Sequence, residues 1–336
     1  MGGGAFLLRG TGTVSCSTYN GEGTIFHNNY ADDGKFEVGK NYAKGGAIKM
    51  ESDTQINLFR AMFVGNFAEC GGAIYADNNQ SSGTKYPNLF IDECTFDANY
   101  ITNSWGPVIS LDGYEYFIMN NCSVRGSYTT NTAADYQKDL RPSWICIDGV
   151  KMDGETPCGV TSISSCSILG NVQYSADGQS FTPLTENTSL VALWGKQTNY
   201  FTNNLILADS HDIDAIRGEG SETIDAMYNY LTMVNAVTFA PGDVGNVIGY
   251  NTRSDLDGLT WVESETNGEA TTRGFWKWNG LINGSAPSMI LGTDAMTRLT
   301  LYTAFDEWLG GDREMDQRRV ARVGDYWWPG AYQAND

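Results

Sequence analysis

One stretch decides the fold of this chain: residues 70–99 read CGGAIYADNNQSSGTKYPNLFIDECTFDAN. An apolar run opens at Gly71-Gly72-Ala73-Ile74, and a second run closes on Phe96-Asp97-Ala98-Asn99. The same unit lies upstream, where Gly45-Gly46-Ala47-Ile48 precedes Phe63-Val64-Gly65-Asn66. The two Gly-Gly-Ala-Ile blocks are 71 − 45 = 26 residues apart. A period of roughly 20–50 residues is typical of a solenoid, in which stacked repeats share one core.

Charge and hydropathy exclude several classes of partner. The chain has 336 residues, of which 41% are hydrophobic, a net charge of −19 and a pI near 4.4. Nucleic acids and anionic membranes bind basic surfaces, so we expect neither as a partner. No apolar run approaches the roughly 20 residues of a membrane-spanning helix. The start, Met1 to Phe6, lacks the regions of a signal peptide and resembles a degenerate repeat opening, so we expect any export signal to lie outside this chain.

The seven cysteines are an odd number, which rules out a fully paired disulfide framework. Cys94, Cys122 and Cys166 share one context, because each lies two residues before an apolar residue. Ala61 and Asn204 take the equivalent position in two other units. Since a free cysteine behaves as a small hydrophobic residue, we predict a ladder of small buried side chains on successive coils. No Cys-x-x-Cys pair is present, so a zinc site is not expected.

The repeats predict an all-β solenoid, a right-handed single-stranded parallel β-helix. Short β-branched or aromatic runs are bounded by Gly, Asn, Asp and Ser, which are strand and turn signals. These runs are 47–50, 56–59, 72–75, 89–92, 108–111, 116–119, 145–147, 160–163, 191–194, 200–201, 205–207, 224–228 and 247–250. A single coil cannot bury its inner face, so coils stack about 4.8 Å apart around one core. We expect inward ladders such as Ile48 over Ile74 over Val108.

Residues 1–251 are predicted as β-helix coils, and residues 252–336 as the last irregular coils and a C-terminal cap of the same domain. The second region holds six of the nine tryptophans. Its best helix signal runs from Asp294, which can cap the helix, to Leu309. Because the last coil of a solenoid exposes strand edges and core, we expect the helix or the Trp-rich tail to cover that end. The longer coils predict surface loops at 128–142 and 176–188.

Two features carry a resemblance to known families. The Gly-Gly-Ala-Ile blocks followed by Phe-x-x-Asn resemble the repeats of polymorphic outer-membrane proteins and related β-helix proteins of the pectin-lyase-like superfamily. The block formed by Asp316-Gln317-Arg318, Arg322 and Trp328-Pro329-Gly330-Ala331-Tyr332 resembles the C-terminus of secreted β-helix proteins of Bacteroidetes. Arg319 stands where that family form has Gly, so we expect a different turn there. The resemblance implies a secreted or cell-surface protein, in a superfamily that contains lyases, hydrolases and adhesins.

The densest polar cluster is DSHDIDAIR at 209–217. If this segment is a strand, Asp212 and Asp214 project to one face about 7 Å apart. Inverting glycosidases hold two carboxylates roughly 6.5–9.5 Å apart. His211 would then tune proton transfer, and Arg217 would hold a uronate carboxylate. These four residues are therefore the candidate catalytic set, and the competing interpretation is a solvated turn with a capping Asp and a surface Arg.

Aromatic and acidic residues indicate further sites. Tyr128, Trp144 and Trp194 lie near coil edges and are the candidate substrate-binding residues, because Tyr and Trp stack on sugar rings. Packing is the alternative role for all three. The segment 255–258, Asp-Leu-Asp-Gly, resembles part of a calcium loop but lacks its other ligands, so no cofactor is predicted and calcium stays an open alternative. The two histidines are too few for a multi-histidine metal site unless they meet.

The sequence thus predicts a monomeric β-helix protein, secreted or on the cell surface, that contacts polysaccharide or another glycan along its side. Two alternatives stay open. One is a polysaccharide-degrading enzyme, either a glycoside hydrolase or a uronate lyase. The other is a non-catalytic adhesin or structural stalk.

Overall fold

The computed structural model describes residues 3–17, 22–32, 43–77, 86–102, 105–130, 142–149, 159–185, 187–241, 243–249, 251–268, 270–299, 315–322 and 326–333. Within these residues the chain winds into a parallel β-helix of eight coils, because the third strand of each coil belongs to one eight-stranded parallel sheet. The strands of each coil fall into rows, which we number 1 to 4 in chain order. This confirms the predicted fold class.

Rows 1 and 2 join into a 14-stranded sheet. Row 1 contains Phe6–Leu8, Ile48–Glu51, Ile74–Asp77, Trp105–Asp112, Ser143–Asp148 and Ser189–Trp194, which begin coils 1 to 6. Row 2 contains Gly12–Cys16, Thr54–Phe59, Asn88–Asp92, Tyr116–Asn120, Val160–Ser164 and Thr198–Thr202. In coil 7 one long strand, Asp214–Met227, pairs with row 1 through its start and with row 2 through its end. Val234–Phe239 pairs with that strand and begins coil 8.

Rows 3 and 4 form separate sheets. Row 3 contains Ile25–His27, Met62–Val64, Thr95–Asp97, Ser123–Arg125, Ser167–Leu169, Leu205–Leu207, Tyr230–Leu231 and Val247–Ile248. Row 4 contains Phe67–Ala68, Tyr100–Ile101, Tyr128–Thr129 and Gln173–Tyr174, with Thr182–Pro183 added antiparallel. Of the two predicted loops, 128–142 is described only at residues 128–130 and 142, and 176–188, described except at residue 186, contains that antiparallel strand. Phe6 pairs with Ile48, so the opening glycines form a degenerate repeat, as predicted.

Inward side chains of row 1 stack in register and form the core. Ile48 pairs with Ile74, and Ile74 pairs with Ile109, and all three are fully buried. The predicted ladder had Val108 as its third member, which is wrong by one residue. Gly106-Pro107-Val108-Ile109 is the equivalent of Gly71-Gly72-Ala73-Ile74, so Val108 corresponds to Ala73 and Ile109 to Ile74.

Row 3 contributes an aromatic ladder. The buried rings of Phe26, Phe63 and Phe96 stack with centroids 4.6 and 4.9 Å apart. Such ring pairs add about 0.5–1.5 kcal/mol beyond their buried area. At the next corner Asn66 Nδ2 donates to Asn99 Oδ1 at 2.8 Å, and both side chains are buried. Each Phe-x-x-Asn signal is therefore one core residue followed by one corner residue.

A left-handed corner connects row 2 to row 3. One residue per coil has a φ between 49° and 61° there: Arg60, Glu93, Asn121, Ser165, Asn203 and Tyr228. The next residue turns inward, and these residues are Ala61, Cys94, Cys122, Cys166, Asn204 and Asn229. Cys94 N donates to Cys122 Sγ at 3.4 Å, and Cys166 N donates to Asn204 Oδ1 at 2.9 Å. The predicted cysteine ladder is thus confirmed, and burial raises the pKa of the Cys122 thiol well above its ordinary value.

The C-terminal region is irregular and contains a helix, as predicted. Its elements are the 3-10 helix Arg253–Asp255, the antiparallel hairpin Thr260–Asn267 and Ala270–Lys277, the paired strands Ile290–Leu291 and Tyr326–Trp327, and the α-helix Gly292–Leu299. The helix begins two residues before the predicted Asp294. Residues 300–309 of the predicted helix lie outside the described residues.

The C-terminal elements lie along the side of the β-helix. In the hairpin, Arg273 O accepts from Thr95 Oγ1 at 2.7 Å, and Trp276 Nε1 donates to Val124 O at 3.2 Å, both on row 3. A second contact covers row 2, where Phe90, Ile118, Ile290, Ala295 and Trp327 form one buried cluster. The expected position over the end of the last coil is therefore wrong for these residues. Apolar outer faces on rows 2 and 3 provide the physical reason, because they too need covering.

Residues 315–322 and 326–333, which we call the strap, dock into the corner between rows 2 and 3. Gln317 Nε2 donates to Cys94 O at 3.2 Å, and its Oε1 accepts from Ser123 Oγ at 2.6 Å. Arg322 Nη2 donates to Asn121 Oδ1 at 2.7 Å. Burial lowers the pKa of Arg322 to about 10, although its guanidinium keeps these hydrogen bonds. The strap therefore binds the corner through hydrogen bonds as well as apolar contacts.

A buried ion pair holds the strap itself in shape. Asp316 is fully buried and accepts from Arg318 Nη2 at 2.7 Å and from Arg318 Nε at 3.0 Å. Arg319 has a φ of 65°, the left-handed region that Gly occupies at lower cost. Its Nη1 lies 3.2 Å from Glu93 Oε1 on the corner. Arg319 thus sustains a left-handed turn, and its side chain gains a contact that Gly would lack.

Candidate functional site

The predicted catalytic residues do not share one face. His211 and Asp212 lie in an exposed turn, where Ser210 Oγ donates to Asp212 Oδ2 at 3.1 Å. Asp214 starts the following strand, is 9% exposed and accepts from Arg217 Nη1 at 3.2 Å. The expected alternation of Asp212 and Asp214 along one strand is wrong, because the strand begins only after the turn. A catalytic role for these residues stays a prediction.

The three predicted aromatic ligands lie in different environments. Trp144 is fully buried and donates Nε1 to Ser127 O at 2.9 Å, so a role in binding a ligand at the surface is corrected to one in core packing. Tyr128 is 9% exposed and stacks on Tyr100 of row 4 at a centroid distance of 4.9 Å. Trp194 is 8% exposed and lies on the outer face of row 1. Tyr128 and Trp194 are thus both largely buried, and Trp194 stays a candidate because it packs against the partly exposed Trp105.

The segment resembling a calcium loop uses its acids within the chain. Asp255 Oδ2 accepts from the backbone N of Thr252 at 2.6 Å, and Asp257 Oδ2 accepts from the backbone N of Gly284 at 2.7 Å. In the described ranges no group of three His, Cys, Asp or Glu side chains is arranged to hold a metal ion. The calcium alternative stays a prediction without a located site.

The outer face of row 1 brings chemically active side chains into register. Alternate residues of a strand point to opposite faces, so those beside the inward Ile positions point outward. One outward column consists of Lys49, Tyr75, Ser110, Cys146, Ala192 and Arg217. The second column consists of Glu51, Asp77, Asp112, Asp148 and Trp194. Four acids thus occupy one position on four consecutive coils, about 4.8 Å apart from coil to coil.

In coil 2 the acid of this column is tightly paired. Glu51 lies 2.6 Å from Lys49 Nζ and 2.6 Å from Arg9 Nε. Burial alone would raise the pKa of Glu51, but the two cations outweigh it and leave the pKa lowered. Glu51 is therefore held as a carboxylate.

In coil 3 the acid is held differently. Lys44 Nζ donates to the Tyr75 hydroxyl at 2.6 Å, and it lies 3.5 Å from Asp77 Oδ2. The Tyr75 hydroxyl in turn donates to Asp112 Oδ2 at 3.1 Å. Burial raises the pKa of Asp77, and Lys44 and Lys49 oppose that rise without cancelling it. Neighbouring coils thus carry one acid stabilised as a carboxylate and one whose neutral form is favoured.

The more accessible half of the face lies on coils 4 to 6. Trp105 and Trp194 pack against each other at a ring-centroid distance of 5.2 Å. Asp112 and Asp148 are half-buried and lie in register on adjacent coils, with Asp148 beside Trp194 in the next coil. An aromatic surface bordered by carboxylate acceptors suits a sugar ring, whose CH groups stack while its hydroxyls donate.

Arg217 stands one coil beyond Ala192 in the first column. Its Nη1 donates to Asp214, and its Nη2 donates to Asn187 Oδ1 at 3.0 Å. Both terminal nitrogens are thus engaged within the chain, so the expected bidentate grip on a uronate would require breaking these bonds. At this end of the column Arg217 thus bonds to residues of its own chain and holds Asp214 in position.

Sequence reasoning missed the acid column, although its signal is visible. The row-1 strands of coils 2 to 5 end in IKME, IYAD, ISLD and ICID, each with an acid at the fourth position. The coil-6 strand ends instead in VALW. Aligning the blocks on their first apolar residue places Glu51, Asp77, Asp112 and Asp148 in one column. The search for acids within a single segment led instead to 209–217.

Over the part of the chain that the structure describes, no helix has the length and apolar character needed to cross a membrane.

One curated protein resembles this chain: "Probable autotransporter YfaL" of Escherichia coli (strain K12) is 24% identical over 255 residues. The match covers 75% of this chain and 19% of that relative, so the chain spans about a fifth of the relative's length. No family model matches the chain, and the solved structures contain no significant match. The comparisons therefore leave the family unassigned.

Proposed function

We propose that this chain is part of an exported bacterial surface protein that contacts polysaccharide through the outer face of row 1. The observation that carries the proposal is the Trp105 and Trp194 pair beside the in-register acids Asp112 and Asp148. The similarity to a probable autotransporter supports export and surface location. Rows 2 and 3 are less suited to a ligand, because the chain's own C-terminal region covers their outer faces.

The charge of the face selects among glycans. The chain carries a net charge of −19, and the outward acids add a local negative potential. A polyuronate would be repelled by both, while hydroxyl groups and amino groups donate to carboxylates. We therefore propose neutral or amino-substituted polysaccharide as the ligand class, in place of the uronate inferred from Arg217.

The test is a titration of tryptophan fluorescence with three oligosaccharides of equal length: a neutral glucan, a glucosamine oligomer and an oligogalacturonate. We expect binding of the first or second and none of the third. Trp105→Ala should weaken binding about tenfold, since loss of stacking worth ~1.4 kcal/mol is one decade in Kd. The matched control is Trp261→Ala, which removes a half-buried tryptophan from the C-terminal hairpin and should leave affinity unchanged.

The same mixtures separate the alternatives. New reducing ends or unsaturated products that vanish in Asp112→Asn plus Asp148→Asn would favour a degrading enzyme. Products that persist in that variant but vanish in Asp212→Asn plus Asp214→Asn would favour the set around His211. Absence of binding to all three oligosaccharides would contradict the proposal and favour a structural stalk.

A further inference from the structure

Two lysine–carboxylate pairs lie side by side on the outer face of row 1, and they differ. Lys49 and Glu51 form a tight ion pair with a separation of 2.6 Å. Lys44 and Asp77 are 3.5 Å apart, and their side chains are 19% and 4% exposed. Asp77 Oδ1 is buried and accepts no hydrogen bond from the described residues. The second pair is therefore a close but poorly satisfied contact between an amine and a carboxyl group.

The surroundings of Asp77 favour its protonated form more than water does. An ion pair that is removed from water loses hydration, and an oxygen without a hydrogen-bond partner is not compensated for that loss. Transfer of one proton from Nζ to the carboxylate removes both charges. Burial raises the pKa of Asp77, in agreement with a carboxylic acid at this position. The result of the transfer is a free amine next to a carboxylic acid, which is the pair of groups that condenses to an amide.

A buried hydroxyl group contacts the amine of Lys44 and the neighbouring acid Asp112. The Tyr75 hydroxyl is 2.6 Å from Lys44 Nζ and 3.1 Å from Asp112 Oδ2. Tyr75 is 1% exposed, and burial raises its pKa well above the ordinary value, so the phenol keeps its proton. It thus accepts a hydrogen bond from the nitrogen while donating its own to Asp112.

We propose that Lys44 and Asp77 form a side-chain isopeptide bond that links coil 2 to coil 3. The Nζ lone pair attacks Cγ of protonated Asp77, forming the C–N bond and a tetrahedral intermediate. One N–H proton moves to the departing hydroxyl group, the C–O bond breaks, and water leaves, while the Tyr75 hydroxyl keeps Nζ in position. Amine plus carboxylic acid give amide plus one water, so the step needs no oxidant and no further reactant.

The bond would act as a covalent staple between coils. All the described cysteines are unpaired, and Cys94 and Cys122 lie in the buried ladder. Lys44 lies just before the row-1 strand of coil 2 and forms a β-bridge with Cys70. Asp77 ends the row-1 strand of coil 3. A cross-link between Lys44 and Asp77 therefore closes a loop of more than one coil. Closing such a loop restricts the unfolded chain, as a disulfide does.

The experiment is intact-mass spectrometry of the purified full chain, followed by trypsin digestion. We expect a mass lower by one water than the sequence mass, and a branched peptide joining residues 41–49 to residues 61–85, because trypsin does not cleave after an amidated lysine. Lys44→Arg should restore the full mass, since a guanidinium does not condense. Lys49→Arg, the matched control in the neighbouring pair, should keep the mass loss.

A second variant keeps the test decisive if Lys44→Arg does not fold. Asp77→Asn preserves shape and offers an amide carbon to the same amine, so it should lose one ammonia in place of one water. Tyr75→Phe should slow either reaction. The proposal is overturned if wild-type protein retains its full mass, or if the dehydrated protein yields no branched peptide, because an aspartate that cyclises on its own backbone loses the same water.

Discussion

Two outward surfaces of the same coils differ in whether another part of the chain covers them. The corner between rows 2 and 3 is filled by the strap, whose Gln317 contacts Cys94 and Ser123 and whose Arg322 contacts Asn121. The outer face of row 1 carries a column of acids in register, and its Asp112 and Asp148 stay half-buried. The backbone of a solenoid is the same from coil to coil. The difference therefore lies in which side chains each row presents and in which segment of the chain packs over them.

The comparison shows how one fold separates stability from contact with a partner. At the corner, non-glycine residues adopt a left-handed backbone, which costs about 1 kcal/mol each, and the strap returns hydrogen bonds to several of them. On row 1 the outward polar groups pair mainly with one another. We therefore expect substitutions at the corner to change stability and substitutions on row 1 to change binding.

The largest effect should come from the buried carboxylate of the strap. Asp316→Ala leaves Arg318 without its fully buried partner and removes the acceptor of the Gln333 backbone N–H. We expect a loss of about 3–5 kcal/mol in the free energy of unfolding, the usual result of removing one partner of a buried pair. Urea denaturation measures it.

The matched control is the second acid that contacts Arg318. Glu265 lies 3.4 Å from Arg318 Nη1 and its side chain is 31% exposed. Glu265→Ala should cost less than about 1 kcal/mol, as partly exposed pairs do. Equal losses in the two variants would contradict the assigned role of the strap.

A smaller effect is expected in the ladder beneath the corner. Asn204 is fully buried, accepts from Cys166 N at 2.9 Å and donates to Ile163 O at 2.8 Å. Asn204→Ala leaves these backbone groups unsatisfied, which should cost about 1–3 kcal/mol in total. Thermal unfolding should show a lower midpoint, whereas Asn267→Ala on the exposed hairpin should stay within about 0.5 kcal/mol of wild type.

Glu51 on row 1 and Glu93 at the corner should also differ in the sign of their pH dependence. The pKa of Glu51 on row 1 is lowered from 4.5, so its stabilisation is present above that value and is lost as the pH falls through the folded pKa. Glu51→Gln should therefore be less stable than wild type at neutral pH, by about 1.4 kcal/mol per unit of pKa difference, and the gap should close in acid.

At the corner the direction reverses. Burial and Asp92 raise the pKa of Glu93 well above 4.5, despite the opposing Arg319 and Arg60. Its contribution is present at low pH and is lost as the pH rises through the folded pKa. Glu93→Gln should thus gain stability relative to wild type on going from acid to neutral pH. Free energies of unfolding measured from acid to neutral pH would refute this contrast if both variants gained, or both lost, stability relative to wild type as the pH rises.

The smallest change in stability is expected for the accessible acids of row 1. Asp112→Asn plus Asp148→Asn keeps shape and most hydrogen bonding, so each substitution should stay within about 0.5 kcal/mol. Glycan affinity should fall in the same variant. A loss of several kcal/mol in chemical denaturation would mean that the row-1 face is structural, as the corner is.

Repeat spacing predicted much of the fold because equivalent residues of a solenoid face equivalent neighbours. Phe63, Phe96 and the cysteines at 94, 122 and 166 were placed correctly for that reason. Val108 was misplaced because its block, Gly106-Pro107-Val108-Ile109, has Pro in place of the second Gly, so its alignment with Gly71-Gly72-Ala73-Ile74 was missed. Asp212 was misplaced because a turn and a strand end look alike in a short polar segment.

The position of the C-terminal region was beyond the reach of spacing. Trp276, Gln317 and Trp328 lie 125 or more residues from the groups they contact on Val124, Ser123 and Asn203. Local sequence patterns carry no information about contacts between residues so far apart. The expectation of a cover was sound, since exposed apolar faces need one, but the faces that received it were on the side of the coils.

By itself the sequence determined that this chain stacks β-coils, that small residues line one corner and that its surface is acidic, because these features repeat with a period or follow from composition. Only the tertiary structure decided that Glu51, Asp77, Asp112 and Asp148 form one column and that the strap occupies the corner between rows 2 and 3. The physical reason is that register and docking depend on contacts between residues far apart in the chain, where burial and hydrogen bonding, rather than local preference, select the arrangement.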